Sequence, residues 1–193
     1  MGHLRILLLS LLLLPWARLV AGEKPATILE SLPAQLAGCE REKVHDYDQP
    51  GLGASVAYKK PGFLCTVYIY DLEQPNIGES LTDPVLQKAY EGARAELKEA
   101  VKQGYYSNLE ELDHGTVALK SGEKVLQARY RLTREKGRDA GLRVYSEIDV
   151  FGARHQIAKL RISASVDNET EHLKTIEQLA PAVLAALREG KSK

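Results

Sequence analysis

The stretch Ala54-Ser55-Val56-Ala57-Tyr58-Lys59-Lys60-Pro61-Gly62-Phe63-Leu64-Cys65-Thr66-Val67-Tyr68-Ile69-Tyr70-Asp71 decides how this chain is read. Two runs rich in Val, Tyr and Ile flank Pro61-Gly62, the pattern of two strands joined by a tight turn. A two- or four-residue loop there sets Val56 against Val67 and Tyr58 against Cys65. Val56, Tyr58, Cys65, Val67 and Ile69 then share one face, which the alternation assigns to the core. Ser55, Ala57, Thr66, Tyr68 and Tyr70 line the other.

Beyond the hairpin the period changes to that of a helix. Asp83 stands at a capping position, and Pro84 follows where a missing N–H costs nothing. Leu86, Ala89, Tyr90, Ala93, Leu97, Ala100 and Val101 recur at three and four, and Gly104 stops the run. From Tyr105 the period returns to two. Runs near 114–120, 124–134, 142–151 and 155–165 read as an antiparallel meander with turns at Ser121-Gly122, at 135–141 and at Gly152. A three-residue loop at 152–154 predicts Glu147 against Lys159 and Tyr145 against Arg161, with Ile148 against Ala158 and Val144 against Ile162. One face of this pair is then charged and the other apolar. A closing helix is expected over 169–188, opened by Asn168 and Glu171 in a capping-box pattern and kinked or divided by Pro181.

The predicted order is a short opening segment with a helical turn in 26–36, then hairpin, helix, four-stranded meander and helix. That is an α+β domain: an antiparallel sheet with two amphipathic helices packed on it. The run Gly51-Leu52-Gly53-Ala54-Ser55-Val56-Ala57-Tyr58, followed by Thr66-Val67-Tyr68-Ile69-Tyr70-Asp71, resembles a family of uncharacterised exported bacterial proteins. The element order is similar to the Mog1/PsbP-like fold over most of the chain. The resemblance implies a binding or assembly role and brings no catalytic signature. The polar second face of the last two strands departs from it, and predicts a two-layer domain with one side of the sheet wet.

The first 22 residues read as a cleavable signal peptide. Arg5 supplies positive charge, 6–14 is an apolar run, Pro15 ends it, and Val20-Ala21-Gly22 offers small residues for cleavage after Gly22. The run is too short to span a bilayer, and no later segment reaches the roughly 20 apolar residues needed. The mature chain, 23–193, is therefore expected as one domain with no transmembrane anchor, periplasmic or secreted. Leu36-Ala37-Gly38-Cys39 spells a lipobox, but charged residues and prolines separate it from the apolar run, so acylation there is rejected.

The whole chain carries 26 Lys plus Arg and 26 Asp plus Glu. Removing the leader takes two arginines and no acid, which leaves a slightly acidic protein with scattered charges. That balance argues against nucleic acid as a partner, because phosphate backbones reward clustered positive charge. Cys39 and Cys65 have two readings in an oxidising compartment. A bridge between them would close a 27-residue loop and stabilise by roughly 3–4 kcal/mol. Alternatively Cys65, alternating with Val67 and Ile69, is a buried thiol.

Candidate chemistry is sparse. Gly51-Leu52-Gly53 precedes a strand and lacks the third glycine of a dinucleotide loop. His45-Asp46-Tyr47-Asp48 clusters an imidazole and carboxylates, but His114, His155 and His172 show no ligand spacing relative to it. Glu110-Glu111 and Glu147/Asp149 are paired carboxylates; the latter have plausible cross-strand partners in the predicted register, so a salt-bridged face explains them. Tyr58, Tyr68, Tyr70, Tyr130 and Tyr145 pack strands or floor a ligand groove. Asn168-Glu169-Thr170 is a glycosylation sequon that reads more simply as a helix start. No catalytic, cofactor-binding or metal residue is assigned and no cofactor is expected. Three functional readings follow: a binding or assembly module with a protein partner in the cell envelope, a small-ligand carrier floored by the tyrosine face of the first hairpin, and a hydrolase with carboxylates in a cleft.

Overall fold

The computed structural model describes residues 23–189. The leader and its cleavage point at Gly22 lie outside the described residues. A short helix α1 (Pro25–Glu30) and three short strands, β1 (Gln35–Leu36), β2 (Cys39–Arg41) and β3 (His45–Asp46), precede the hairpin of β4 (Ala54–Lys60) and β5 (Phe63–Tyr70). Helix α2 (Pro84–Lys102) leads into the meander β6 (Tyr106–Ala118), β7 (Lys124–Arg134), β8 (Arg143–Ala153) and β9 (Gln156–Ser165), and α3 (Glu169–Glu189) follows. All pairings are antiparallel, in the order β1-β2-β4-β5-β9-β8-β7-β6, with β3 beside β4.

The hairpin has the expected register. Lys60 pairs with Phe63 around Pro61-Gly62, Val56 with Val67, and Tyr58 with Cys65. Gly62 takes a φ of +70°, which glycine adopts without steric cost. Val56, Tyr58, Cys65, Val67 and Ile69 are fully buried, while Ala57, Thr66, Tyr68 and Tyr70 are half-buried. Helix α2 also begins and ends as its sequence predicts. The Asp83 carboxylate accepts from Val85 N at 2.8 Å and from Gly78 N at 2.9 Å. At the other end Tyr105 N donates to Ala100 O, with Gly104 at φ +70°.

The β8–β9 register departs from expectation. Glu147 pairs with Ile162, Ile148 with Arg161 and Val150 with Lys159. The turn is the two-residue Arg154-His155, both at positive φ (53° and 61°), the backbone of a type I′ hairpin without its usual Asn-Gly. Arg154 is held there because its Nε donates to Leu187 O at 2.7 Å and its guanidinium meets Glu23 at 2.7 Å. Gly152 is a strand residue: a Cβ on it would stand 2.2 Å from Gly78 O, so glycine is needed for a close backbone approach. A three-residue shift moves every side chain to the opposite face. Glu147 and Asp149 thus join the apolar residues of β9 under α3, and Lys159 and Arg161 turn toward α2.

The sheet is consequently covered on both faces, and the two-layer expectation is wrong. On one side α1 and α3 bury Ile28, Leu29, Leu179, Val183, Leu184 and Leu187 against Val56, Val67, Leu160 and Ile162. On the other, Leu86, Tyr90, Ala93 and Leu97 of α2 meet Leu126, Ala128, Leu132, Ile148 and Val150. Each fully buried aliphatic side chain contributes roughly 1.5–3 kcal/mol. Pro181 does not divide α3, which runs through it as one element. Buried Leu179, Ala180, Val183 and Leu184 grip the sheet on both sides of the proline and offset the lost backbone bond.

Cys39 and Cys65 are free, buried thiols, so of the two readings the structure has the buried thiol and not the bridge. They stand on β2 and β5 with β4 between. Two strand spacings amount to about 9–10 Å, beyond the reach of a disulfide. Burial pushes the Cys65 thiol well up, reinforced by the nearby Asp149, Cys39 and Glu147.

Candidate functional site

Helix α2 rests mainly on β6, β7 and β8. The same face of β4, β5 and β9 continues past its edge, and a trough opens there. Its outer part is a cavity of about 380 Å³ walled by Lys88, Ala89, Gly92, Ala93 and Glu96 of α2 and floored by Tyr68, Tyr70 and Lys159. Tyr47, Leu52 and Leu72 form its rim. A cavity of about 270 Å³ continues inward, sharing Tyr68, Ala93, Glu96 and Lys159 and adding Tyr106, Ile148 and Arg161. A third of about 170 Å³ shares Tyr68, Tyr106 and Arg161 and ends at Leu64, Arg134 and Ser163.

The rim is placed by the Gly51-Leu52-Gly53 turn. Leu72 N donates to Gly51 O at 3.0 Å, and Tyr47 N to Gly53 O at 3.1 Å. Gly53 has a φ of +63°, and a Cβ on it would lie 2.0 Å from Ile69 O. These glycines serve a close approach to the end of β5. The loop leaves Leu52 and Leu72 at 45% and 38% exposure, two large apolar side chains in water at the mouth of the trough. Leu72 itself has φ +53°, a costly conformation for a side-chain-bearing residue. Tyr47 Oη and Ser55 Oγ are 3.0 Å apart and tie the rim to β4.

Lys159 and Arg161 set the charge of the floor. Lys159 Nζ lies 4.7 Å from the Tyr68 ring centroid and 5.6 Å from that of Tyr70, within cation–π range. Its nearest carboxylate is Glu96, at 3.7 Å. Burial holds the Lys159 ammonium below its usual range, and Glu96 pulls it partly back. Tyr68 is pushed up, chiefly by burial, and Tyr70 likewise with help from Glu96. Arg161, two residues along the same face, forms no ion pair among the described residues.

Of the five tyrosines singled out in the sequence, only Tyr68 and Tyr70 reach the trough. Tyr58 is in the core, donating to Pro33 O at 2.8 Å and pushed up to about 12 by burial. Tyr130 lies beneath α2, where its Oη accepts from Arg94. Tyr145 lies on the α3 side. Tyr47, Tyr106, Gly92, Lys159 and Arg161 were not found by sequence reasoning. The two-residue turn at Arg154-His155, which sets the β8–β9 register, carries no turn signature in its sequence that would have pointed to the two cations.

The paired carboxylates separate into two situations. Glu110 and Glu111 sit on exposed β6, where Glu111 accepts from Arg94 at 3.0 Å and meets His114 at 2.5 Å. Glu147 and Asp149 are 2% and 0% exposed. Tyr145 Oη donates to Glu147 at 2.6 Å, and Gln127 Nε2 donates to Asp149 at 2.9 Å and to Glu147 at 3.3 Å. The second Asp149 oxygen is buried without a hydrogen-bond partner. Burial raises Asp149 well above its ordinary range, and the Glu147 charge adds to it; burial also raises Glu147. One proton resident on Asp149 suits this geometry. His45 and Asp46 are exposed on β3, His155 is exposed at its turn, and His172 is buried with Nδ1 2.9 Å from Ser165 O. Among the described residues no group of three or more His, Cys, Asp or Glu could hold a metal ion.

No family model matches the chain, and no curated protein does. Among solved structures it is similar to the solution structure of cyanobacterial PsbP (CyanoP) from Synechocystis sp. PCC 6803. Sequence identity is 14%, the TM-score is 0.47, and the match covers 77% of this chain and 92% of that one. At that identity the likeness assigns no residue a role.

Proposed function

We propose that this chain is an exported, non-catalytic binding module of the cell envelope, periplasmic or secreted, and that the trough beside α2 is its binding site. The observation that carries the reading is a concave floor of tyrosines and cations, with Arg161 left without an ion-pair partner among the described residues. Cavities of this size and mixed lining are where small molecules bind. Within the class this favours a ligand carrier over an assembly subunit, whose flat partner interface would need no such trough. The hydrolase reading gains nothing from Glu147 and Asp149, which are closed off beneath α3. Native mass spectrometry of the protein isolated from its own cells tests the proposal. A bound mass is expected in the natural chain and not in Gly92→Leu, which fills the trough; only the unliganded mass in both sinks it. N-terminal sequencing of the same material should begin at Glu23, and an intact Met1 would refute export by cleavage.

A further inference from the structure

We infer that the trough takes a small organic acid with an apolar body, its acid group held at Arg161 and its body lying across Tyr68 and Tyr70 toward Leu52. The inference rests on the trough being the binding site and names what fills it.

Three independent observations converge. The first is charge. Lys159 has Glu96 and two aromatic faces for company, whereas Arg161 has no carboxylate within ion-pair distance among the described residues. Yet Arg161 is half-buried, between Thr66 of β5 and Ile148 of β8 on the sheet face. A partly desolvated guanidinium without an anion is an unfinished pair. A carboxylate, phosphate or sulfonate meets it with the planar, charge-assisted hydrogen bonds that arginine makes best.

The second is polarity along the trough. Lys159 and Glu96 line both cavities, but Leu52 and Leu72 line only the outer one, beside Tyr47, Tyr70 and Lys88, and Arg161 lines only the inner one. An occupant that satisfies both ends is apolar at one end and anionic at the other. A fully polar anion would leave the leucines wet, and a neutral apolar molecule would leave Arg161 unmatched.

The third is Gly92. It lies inside α2 with no positive φ, and a Cβ on it would meet nothing within 4 Å. Glycine is the poorest helix former after proline, so neither backbone conformation nor close packing calls for it here. What its missing side chain does is leave open the wall of the outer cavity.

Two fluorescent probes share one aromatic body and differ in the acid: anilinonaphthalenesulfonate and the uncharged phenylnaphthylamine. The one tryptophan, Trp16, lies in the leader, so the mature protein contributes no tryptophan background. The natural chain should bind the sulfonate with a stoichiometry of one and at least about tenfold more tightly than the amine, the size expected for one charge-assisted contact. Arg161→Gln should erase that preference and keep the weak binding of the uncharged probe. Gly92→Leu should lose both probes while its thermal unfolding stays level or rises, which separates a blocked trough from a damaged fold. Equal affinity for the two probes, an acid preference surviving in Arg161→Gln, or no binding of the sulfonate overturns the inference. If Gly92→Leu binds both like the natural chain, the trough itself is not the site and the underlying reading fails as well.

Discussion

Replacing Asp149 with asparagine should stabilise the protein, and increasingly so as pH rises. Asp149 is fully buried, one of its oxygens has no hydrogen-bond partner, and Glu147 stands beside it on the same face of β8. In the unfolded chain it ionises near its ordinary 3.8; in the fold it keeps its proton to well above that. Below 3.8 both states are protonated and the full stability is present. Above it the unfolded state releases a proton that the folded state retains. Stability therefore falls with rising pH until the folded group ionises too. One proton of difference gives a slope of about 1.4 kcal/mol per pH unit, or about 3–6 °C in Tm for a domain of this size. Asparagine keeps the shape, donates to Glu147 in place of the shared proton, and carries no charge at any pH. Guanidinium unfolding of both proteins, in steps of half a pH unit from 3.5 upward, isolates the effect, because every other group titrates in both. Two curves that stay parallel throughout, or an asparagine variant that loses stability relative to the natural chain as pH rises, would refute the proton on Asp149.

Three further outcomes are expected. Gly152→Ala should destabilise by at least about 2 kcal/mol in the same unfolding assay, since its methyl group would strike the Gly78 carbonyl and neither backbone can yield cheaply; a neutral change would refute the close approach. Leu160→Ala, at a fully buried position opposite Val67, should cost about 2–5 kcal/mol, and a loss under 1 kcal/mol would mean the site collapses around the cavity. Neither Cys39 nor Cys65 should react with a thiol reagent in the native protein, and both should react after unfolding without reductant; silence after unfolding would mean they are bridged.

The sequence reading succeeded where one local signal had one meaning. Pro61-Gly62 between alternating strands, and Asp83-Pro84 ahead of a helical stripe, each pointed to a single geometry, and both elements are found. It failed at Arg154-His155, because nothing in that dipeptide announces two left-handed residues. Contacts to Leu187 and Glu23, far away in sequence, hold them there. Gly152, the more conventional turn residue, drew the expected loop toward itself. Complementary charge then made the wrong register persuasive, since Glu147 facing Lys159 is a sensible surface pair and a buried carboxyl pair is not. The candidate site inherited that error. Tyr68 and Tyr70 were legible as one face of a hairpin. Their cationic companions were not, because which face Lys159 and Arg161 occupy depends on a turn the composition disguises. The three short N-terminal strands were missed because two- and three-residue strands have no period to detect.

The pairing of β5 with β9 joins residues 63–70 to 157–164 and, among the described residues, is the only ladder linking the N-terminal strands to the meander. During synthesis, N-terminus first, the hairpin emerges long before its neighbour. Until β9 arrives, β5 presents an open row of amides beside the bare side chains of Cys65, Val67 and Ile69, the kind of edge that recruits other chains. Contacts so distant along the polypeptide also close slowly, on the scale of milliseconds to seconds. A chain that stops short of Gln156 is thus a hairpin and a meander that cannot join, and an aggregate in waiting.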